Sequence, residues 1–347
     1  MKEMMKAARL HRIGEKLSID NVPVPDLGSR DVLVDVKASG ICHTDINYRE
    51  GVSPVGKLPI ILGHEIAGVI AEVGDKVEAI EKGDRVCVHY VLSCGECRFC
   101  ITGRENLCEK YQMIGKHVDG GFAEYIKVPA RNVLKLPKAI SFEQGAIMGC
   151  AVSTAFHALK RGRINVGDTV VIYGVGGVGV HAIQLAAKVF GAGRLIAVDV
   201  SEEKLKLAQK LGADEVINAA EEKPLERIKE MTDGRLADVA LEFIGLRNTI
   251  EEAISCVGKG GRMLVVGICP EDIRVAPHRT IIGKEMEIIG VNDHLKSEMA
   301  QLIKLVSSGK INLSDSITHR VQLEEVNRGM EILEKKIGNP VRIVITQ

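Results

Sequence analysis

The sequence is short of the features that mark nucleic-acid and membrane proteins. It has no Trp, five Tyr and six Phe, so it offers few aromatic rings on which bases could stack. Its 46 Lys and Arg balance 46 Asp and Glu, and no run reaches the ~5 like charges of a nucleic-acid-binding arm. No stretch approaches the ~18 continuous apolar residues of a membrane span. We therefore expect neither a nucleic acid nor a membrane as a partner.

The first residues do not have the pattern of a secretory leader. The segment 1–10 carries Lys2, Lys6 and Arg9 but no apolar stretch, so we expect no signal peptide and a cytoplasmic protein. The length of 347 residues is too great for one ordinary core and predicts two domains. An apolar content of 46% is sufficient to bury both cores.

The chain changes its pattern near Gly167. Before that point, short apolar runs alternate with Pro and Gly and lack amphipathic helices between them, which predicts a compact all-β, barrel-like unit with strands at 32–36, 68–73, 84–88 and 123–128. After it, strands and helices alternate, which predicts a doubly wound α/β domain with a parallel sheet of strands at 170–173, 195–198, 215–217, 239–243, 262–266 and 286–289. The predicted helices include 178–190 and one that Ser201 caps and Gly212 ends. From about His294 the tail predicts helices at 298–306 and 326–335 and a last strand at 341–345.

A glycine-rich turn opens the alternating region in the pattern typical of a dinucleotide site. The segment Gly174-Val-Gly-Gly-Val-Gly179 fits G-x-G-x-x-G, follows an apolar strand and begins a helix, whereas the hexapeptide alone could be a plain tight turn. Gly174 permits the sharp turn, Gly176 the close approach of a pyrophosphate, and Gly179 the packing of helix on strand. The helix N-terminus supplies N–H groups to the anion. The predicted cofactor contacts in this loop are Gly174, Gly176, Gly177, Val178 and Gly179.

An acidic residue after the next strand indicates which dinucleotide binds. Asp199 stands twenty residues beyond Gly179, where its carboxylate can accept hydrogen bonds from both adenosine ribose hydroxyls. The same carboxylate would repel the 2′-phosphate of NADP. The first basic residue that follows is Lys204, which we count among the cofactor contacts, and no Arg stands close behind Asp199. The sequence therefore predicts NAD rather than NADP.

The nine cysteines are unevenly distributed. Their odd number in a chain expected to be cytoplasmic argues against a disulfide framework and favours metal or thiol chemistry. Four of them, Cys94, Cys97, Cys100 and Cys108, lie within fifteen residues. Four thiolates make a closed tetrahedral zinc site without an open position, so this spacing predicts a structural Zn²⁺ that fixes the loop 93–109.

Other metal-binding residue types are scattered along the chain. Cys42 lies in Gly-Ile-Cys-His-Thr-Asp, His64 in Gly-His-Glu, and Cys150 follows a glycine. Spacing alone cannot assemble these three, and a lone His or Cys is usually a packing residue. The residues alone therefore leave two alternatives open: the three form a second metal site, or each is an ordinary packing residue.

In this order, the motifs resemble those of the zinc-dependent medium-chain alcohol dehydrogenases over essentially the whole length. The order is Cys-His-Thr-Asp, Gly-His-Glu, the four-cysteine lobe, Gly-Cys followed by Ser153 and Thr154, and the glycine loop. The resemblance implies a GroES-like β-barrel catalytic domain at 1–152 and an NAD-binding Rossmann domain at 153–293. Residues 294–347 would return to the catalytic domain.

The resemblance also implies the chemistry. Cys42, His64 and Cys150 would hold a catalytic Zn²⁺ and leave its fourth position to water or substrate oxygen, so that the metal acts as a Lewis acid. With the structural ion, two Zn²⁺ are expected per chain. The expected reaction is hydride transfer between a primary or secondary alcohol, or the aldehyde or ketone, and NAD. Family members are usually homodimers or homotetramers, and we expect one of these here.

Residues beside the expected ligands take roles from the same resemblance. Thr44 would take the proton of the bound alcohol, or else be a turn-former. Asp45 would accept the second N–H of the ligand imidazole, and Glu65 would be a neighbour of the metal or an alternative ligand. The alternative for both acids is an exposed surface charge. Tyr90 would wall the alcohol pocket, or be a core aromatic.

The remaining implied positions concern the cofactor and the proton path. His43 and Arg342 would lie near the cofactor pyrophosphate, or else be solvated surface charges, and Thr154 would contact the cofactor. Where some relatives carry a His that passes the proton to solvent, this chain has Asn47, and an amide does not titrate near neutral pH. Proton exit would therefore use water or another group.

Three other functions compete with this interpretation. A polyol or threonine dehydrogenase of the same superfamily tends to have Glu as its third zinc ligand, whereas Cys150 matches the alcohol dehydrogenase type. A non-enzymatic zinc module that binds nucleic acid is disfavoured by the balanced charge and the dinucleotide loop. A zinc-free quinone reductase is disfavoured because such relatives lack both cysteine sets.

Overall fold

The computed structural model describes residues 3–347. Its helices in this range are α1 (His43–Arg49), α2 (Phe142–Ile147), α3 (Ser153–Arg161), α4 (Gly179–Leu185), α5 (Glu202–Leu211), α6 (Pro224–Met231), α7 (Arg247–Ser255), α8 (Lys296–Ser307) and α9 (Val326–Glu334). Single π-helical turns follow α2 at Met148–Val152 and α4 at Ala186–Phe190, and another lies at Pro277–Ile282. No helix in this part of the chain combines the length and apolar character that a membrane crossing requires.

The strands in the same range are β1 (Met4–Leu10), β2 (Ser18–Pro23), β3 (Asp31–Ile41), β4 (Ile60–Ile61), β5 (Glu65–Val73), β6 (Arg85–Val88), β7 (Val91–Leu92), β8 (Gln112–Met113), β9 (Tyr125–Pro129), β10 (Val133–Lys135), β11 (Thr169–Tyr173), β12 (Arg194–Asp199), β13 (Glu215–Asn218), β14 (Ala237–Glu242), β15 (Val257–Val265), β16 (Glu287–Gly290), β17 (Ile317–Val321) and β18 (Arg342–Thr346). The chain divides into two compact units. The terminal unit holds the residues up to Ser153 together with His294–Gln347, and the central unit holds Thr154–Asp293.

The terminal unit is built around the long strand β3. Its main sheet has the order β10-β6-β5-β3-β18-β17, and β9 also pairs with β3. A second sheet of order β2-β1-β4 packs with it around a core of buried aliphatic side chains. The C-terminal strand β18 runs antiparallel to β3, with Ile343 opposite Ile41. Residues more than three hundred positions apart therefore share one sheet.

The expectation that the first 150 residues are all-β is wrong in two places. α1 begins directly after β3, and the Asp45 carboxylate accepts the Cys42 N–H at its start. α2 begins with a capping box in which Ser141 and Gln144 each accept the backbone N–H of the other. Both helices have seven residues or fewer, too few for a helical period to show in the sequence.

The central unit confirms the doubly wound α/β prediction. Its six strands are all parallel in the order β13-β12-β11-β14-β15-β16, so the order reverses between β11 and β14. The predicted start and end of α5 are confirmed, because the Ser201 hydroxyl accepts the Lys204 N–H and Gly212 ends the helix at φ 117°. The predicted helix 178–190 is α4 continued by its π turn.

Candidate active site and zinc-binding lobe

Four chemically active side chains converge inside the terminal unit. Cys42, His64, Glu65 and Cys150 are all buried, and their sulfur, nitrogen and oxygen atoms lie within 4.8 Å of one another. The sheet register explains this meeting, because antiparallel pairing sets Gly40 at the end of β3 opposite Glu65 at the start of β5. Cys150 comes from the π turn after α2. We call these four residues the buried cluster.

Asp45 fixes the imidazole of the buried cluster. Its carboxylate is fully buried and accepts from His64 Nδ1 at 3.2 Å, from the Gly63 N–H at 3.2 Å and from the Cys42 N–H at 2.9 Å. This contact assigns the proton of His64 to Nδ1. The other ring nitrogen, Nε2, is buried and has no hydrogen-bond partner among the described residues. A buried acceptor without a donor indicates a missing ligand.

The pKa values of the two thiols of the cluster shift in opposite directions. The hydrogen bond between them lowers the pKa of Cys42 well below its usual value and raises the pKa of Cys150. A thiolate beside an imidazole acceptor is a donor set that suits Zn²⁺. The residues present therefore fit a zinc ion.

Glu65 and Arg342 form a buried ion pair behind the cluster. The guanidinium donates through Nη2 to Glu65 Oε2, while Oε1 has no hydrogen-bond partner among the described residues. Arg342 is 3% exposed, and although burial alone would lower its pKa, Glu65 raises it, so the side chain stays charged. A Cβ on Gly40 would overlap the Glu65 carboxylate, so only glycine fits at that position of β3.

The four-cysteine lobe has the geometry of a tetrahedral metal site. Its Sγ–Sγ distances are 3.8 Å (Cys94–Cys100), 3.5 Å (Cys97–Cys100), 3.5 Å (Cys94–Cys108) and 4.0 Å (Cys97–Cys108). Four sulfurs at the usual Zn–S bond length stand about 3.8 Å apart. All four cysteines are free of disulfides. Backbone N–H groups of Glu109 and Cys100 lower the pKa of Cys97 to about 6, which favours the thiolate that a metal requires.

The glycine loop of the central unit has the close contacts that its sequence predicts. Gly174 has φ 90°, and a Cβ on Gly179 would overlap the Gly174 carbonyl oxygen. The start of α4 can therefore lie this close to the end of β11 only because residue 179 is a glycine. A Cβ on Gly176 would meet no atom within 4 Å, which leaves its backbone open to a ligand. Asp199 Oδ2 accepts the Val175 N–H at 2.7 Å, so the acidic residue also holds the loop.

Comparison with known proteins shows the family to which these two metal-binding clusters and the glycine loop belong. Two family models match, the alcohol dehydrogenase GroES-like domain over residues 28–138 and the zinc-binding dehydrogenase over residues 177–308. An NAD-dependent alcohol dehydrogenase of Sulfurisphaera tokodaii is 35% identical over 98% of this chain and 100% of its own. A sorbitol dehydrogenase of Bacillus subtilis is 37% identical over 94% and 93% of the two chains. The solved alcohol dehydrogenase of Aeropyrum pernix is 38% identical, with a TM-score of 0.90 over 99% of this chain and 100% of that one.

The chain belongs to the zinc-dependent medium-chain dehydrogenases. The predicted family and its combination of GroES-like and Rossmann folds are confirmed. So is the predicted enzyme class, an oxidoreductase with zinc and NAD as its cofactors. The alternative of a non-enzymatic zinc module has no support.

Several residues that the family resemblance singled out lie at the buried cluster. Thr44 is half-buried, with its hydroxyl oxygen 3.5 Å from Cys42 Sγ. Asp45 and Glu65 are both buried, so the alternative that they are surface acids is wrong. The Tyr90 ring is 2% exposed and stands edge-on to the His64 ring at 5.1 Å.

The residues expected to contact the cofactor outside the glycine loop come from several different elements. His43 is exposed at the start of α1, Thr154 is half-buried in α3, and Lys204 is half-buried in α5. Arg342 is not a solvated charge, because it is buried against Glu65. Contact of these residues with the cofactor stays a prediction.

Sequence reasoning missed two imidazoles beside Tyr90. The His294 ring lies 5.0 Å from the rings of both Tyr90 and His89, and both histidines are buried. The only sequence feature that could have pointed to His89 is its position directly before Tyr90, and adjacency alone is weak evidence for a place at the site. His294 has no sequence signal, since it enters the terminal unit from the other end of the chain.

Proposed function

We propose that this chain interconverts primary or secondary alcohols and their aldehydes or ketones with NAD, and that the buried cluster is its catalytic metal site. The observation that supports this most directly is the convergence of two sulfurs and a partnerless His64 Nε2 within one 4.8 Å group. Cys42, His64 and Cys150 would hold Zn²⁺, with Glu65 as an alternative ligand. When bound there, zinc supplies a Lewis acid that polarises an alcohol or carbonyl oxygen.

The chain's own residues would orient the His64 imidazole and take the proton of the substrate hydroxyl. Asp45 holds the His64 tautomer that presents Nε2 to the cluster. The Thr44 hydroxyl, beside Cys42, would accept the proton of the substrate hydroxyl. The pair of Glu65 and Arg342 ties the start of β5 to the start of β18 and thereby holds the ends of the strands that carry the cluster.

The central unit would bind NAD through its glycine loop. Gly174, Gly176, Gly177, Val178 and Gly179 would contact the pyrophosphate, and Asp199 the adenosine ribose, which favours NAD over NADP. Lys204, Thr154, His43 and Arg342 remain proposed cofactor contacts. We also propose Cys94, Cys97, Cys100 and Cys108 as ligands of a structural zinc.

The domain boundaries, assembly and location of the enzyme are proposals as well. The terminal unit would be the catalytic domain, with boundaries at 152/153 and 293/294. The enzyme would be a cytoplasmic homodimer or homotetramer. A polyol or threonine dehydrogenase is the alternative activity, and the sorbitol dehydrogenase relative supports it, whereas Cys150 in the buried cluster favours the alcohol dehydrogenase type.

Metal analysis combined with a substrate panel tests the proposal. The purified enzyme should contain two Zn²⁺ per chain and reduce NAD with ethanol or benzyl alcohol faster than with sorbitol or threonine. The variant Cys150→Ser should lose one zinc and its activity. The matched control Cys87→Ser should keep both, because Cys87 is a buried free thiol outside the two clusters. Exclusive turnover of threonine, or full activity of Cys150→Ser, would contradict the proposal.

A further inference from the structure

A buried carboxylate in the central unit has no role in the mechanism proposed above. Glu242 is the last residue of β14 and is fully buried. Its Oε1 accepts from the Ile244 N–H at 3.0 Å, the Gly245 N–H at 2.9 Å and the Thr249 hydroxyl at 2.7 Å, and its Oε2 accepts from the Gly245 N–H at 3.1 Å. All of these donors are neutral. A carboxylate that is buried without a cation is costly, so burial raises the pKa of Glu242.

The same residue joins two loops. Its backbone carbonyl accepts the N–H groups of Val266 and Gly267, each at 3.0 Å, in the segment that follows β15. Its side chain holds the segment that follows β14. Glu242 therefore connects the carboxyl ends of two neighbouring parallel strands.

The two loops approach so closely that only glycine fits between them. A Cβ on Gly267 would overlap the Gly245 nitrogen and come within 2.8 Å of Glu242 Oε2. A Cβ on Gly245, which has φ 81°, would overlap the Ile268 carbonyl oxygen. The loops also reach the dinucleotide loop, because a Cβ on Gly174 would come within 2.6 Å of Ile244 Cγ1.

This junction presents apolar surface at the carboxyl end of the sheet. The side chains of Ile244, Leu246 and Ile268 are exposed there, although most large aliphatic residues of the unit are buried. Grouped exposed apolar side chains are typical of surfaces that bind a ligand or a partner.

The sheet order indicates which half of NAD this surface would meet. Strands β11–β13 form one mononucleotide-binding half, and they carry the glycine loop and Asp199. Strands β14–β16 form the other half. The strand order reverses where the two halves meet, between β11 and β14. Because we propose that Asp199 holds the adenosine ribose, the loops after β14 and β15 would lie beside the nicotinamide half.

We infer that Glu242 is a positioning residue for the nicotinamide half of NAD, because it fixes the two loops against which that half lies. The inference rests on the proposed NAD-dependent function. It concerns binding alone and needs no metal. Glu242 would not contact the cofactor but would hold Ile244, Gly267 and Ile268 in place.

The variant Glu242→Gln tests this role with little change in shape. An amide has a single acceptor oxygen, so an NH₂ group in the place of Oε2 would face the Gly245 N–H, and the loops would relax. NADH affinity should fall about tenfold, as the loss of one buried hydrogen bond implies. AMP, which occupies the adenosine half alone, should bind within about twofold of the wild type. Fluorescence titration of NADH and competition by AMP measure both affinities.

The control is Asp238→Asn at the amino end of the same strand, where the carboxylate accepts the Thr169 N–H. It should leave both affinities unchanged. If Glu242→Gln does not fold, Thr249→Val removes one donor to the carboxylate, while Thr249→Ser keeps it, and only the valine variant should weaken NADH.

Two results would overturn the inference. One is unchanged NADH affinity in Glu242→Gln or Thr249→Val. The other is an equal loss of AMP affinity, which would show general damage to the sheet. A wild type that binds AMP but not NADH would refute the proposed NAD-dependent function and, with it, this inference.

Discussion

Replacing Asp45 by Asn is expected to weaken zinc binding at the buried cluster while sparing the four-cysteine lobe. Asp45 Oδ1 takes the His64 and Gly63 donors, and Oδ2 takes the Cys42 N–H. An asparagine has one acceptor oxygen, so at least one buried N–H would face another donor. An unsatisfied buried N–H costs about 1–3 kcal/mol of folding stability.

The effect on the metal follows from the orientation of His64. Loss of a carboxylate behind a ligand imidazole lowers metal affinity about 10–100-fold. This corresponds to about 1.4–2.8 kcal/mol, since each tenfold change is about 1.4 kcal/mol. The loss should be confined to one of two zinc ions, because the lobe supplies its own four sulfurs.

The assay is zinc content per chain after dialysis against a graded series of chelator concentrations. Asp45→Asn should release one zinc at a chelator concentration about 10–100-fold lower than the wild type, with activity lost in parallel. The control Asp35→Asn removes the same charge from a half-exposed residue paired with Lys37 and should behave as the wild type. Equal zinc retention and equal activity in Asp45→Asn would refute the reasoning.

Three further predictions concern the proton, the cofactor and the lobe. Thr44→Val should lower kcat about 10²–10⁴-fold with zinc content unchanged, and Thr44→Ser should keep most of the rate; a fully active valine variant would exclude the proton role. Asp199→Asn should reduce kcat/KM for NAD about tenfold, since it removes a charged acceptor, and should improve the relative rate with NADP; an unchanged NAD/NADP ratio would exclude Asp199 as the selecting group. Cys97→Ser should lose one zinc and lower the melting temperature, whereas Cys269→Ser, outside both clusters, should change neither; retention of both zinc ions by Cys97→Ser would exclude the lobe as a metal site.

The central unit could be predicted closely because its signals are local. The strand, glycine turn and helix around Gly174 are contiguous in sequence, and the ends of α5 follow from Ser201 and Gly212. The parallel order follows from the alternation of strands and helices. The terminal unit was predicted less well, because α1 and α2 are short and are stabilised by capping contacts and tertiary packing.

The environment of the candidate site was the least predictable part. The burial of Arg342 against Glu65 depends on a strand pairing that no local pattern reveals, so the sequence leaves a solvated surface charge open as an alternative. His294 and Glu242 carried no motif either. Their positions follow from how distant segments pack.

The sequence by itself determined the four-cysteine lobe and the dinucleotide loop. In each, fewer than twenty consecutive residues supply all the groups, so chain connectivity limits where those groups can lie. Only the tertiary structure decided the buried cluster, since Cys42, His64 and Cys150 come from three separate segments. The antiparallel register of β3 with β5 and β18 brings the first two together and sets Arg342 behind them, 277 residues from its partner Glu65. Such contacts depend on sheet pairing over long loops, which the spacing of residues along the chain does not encode.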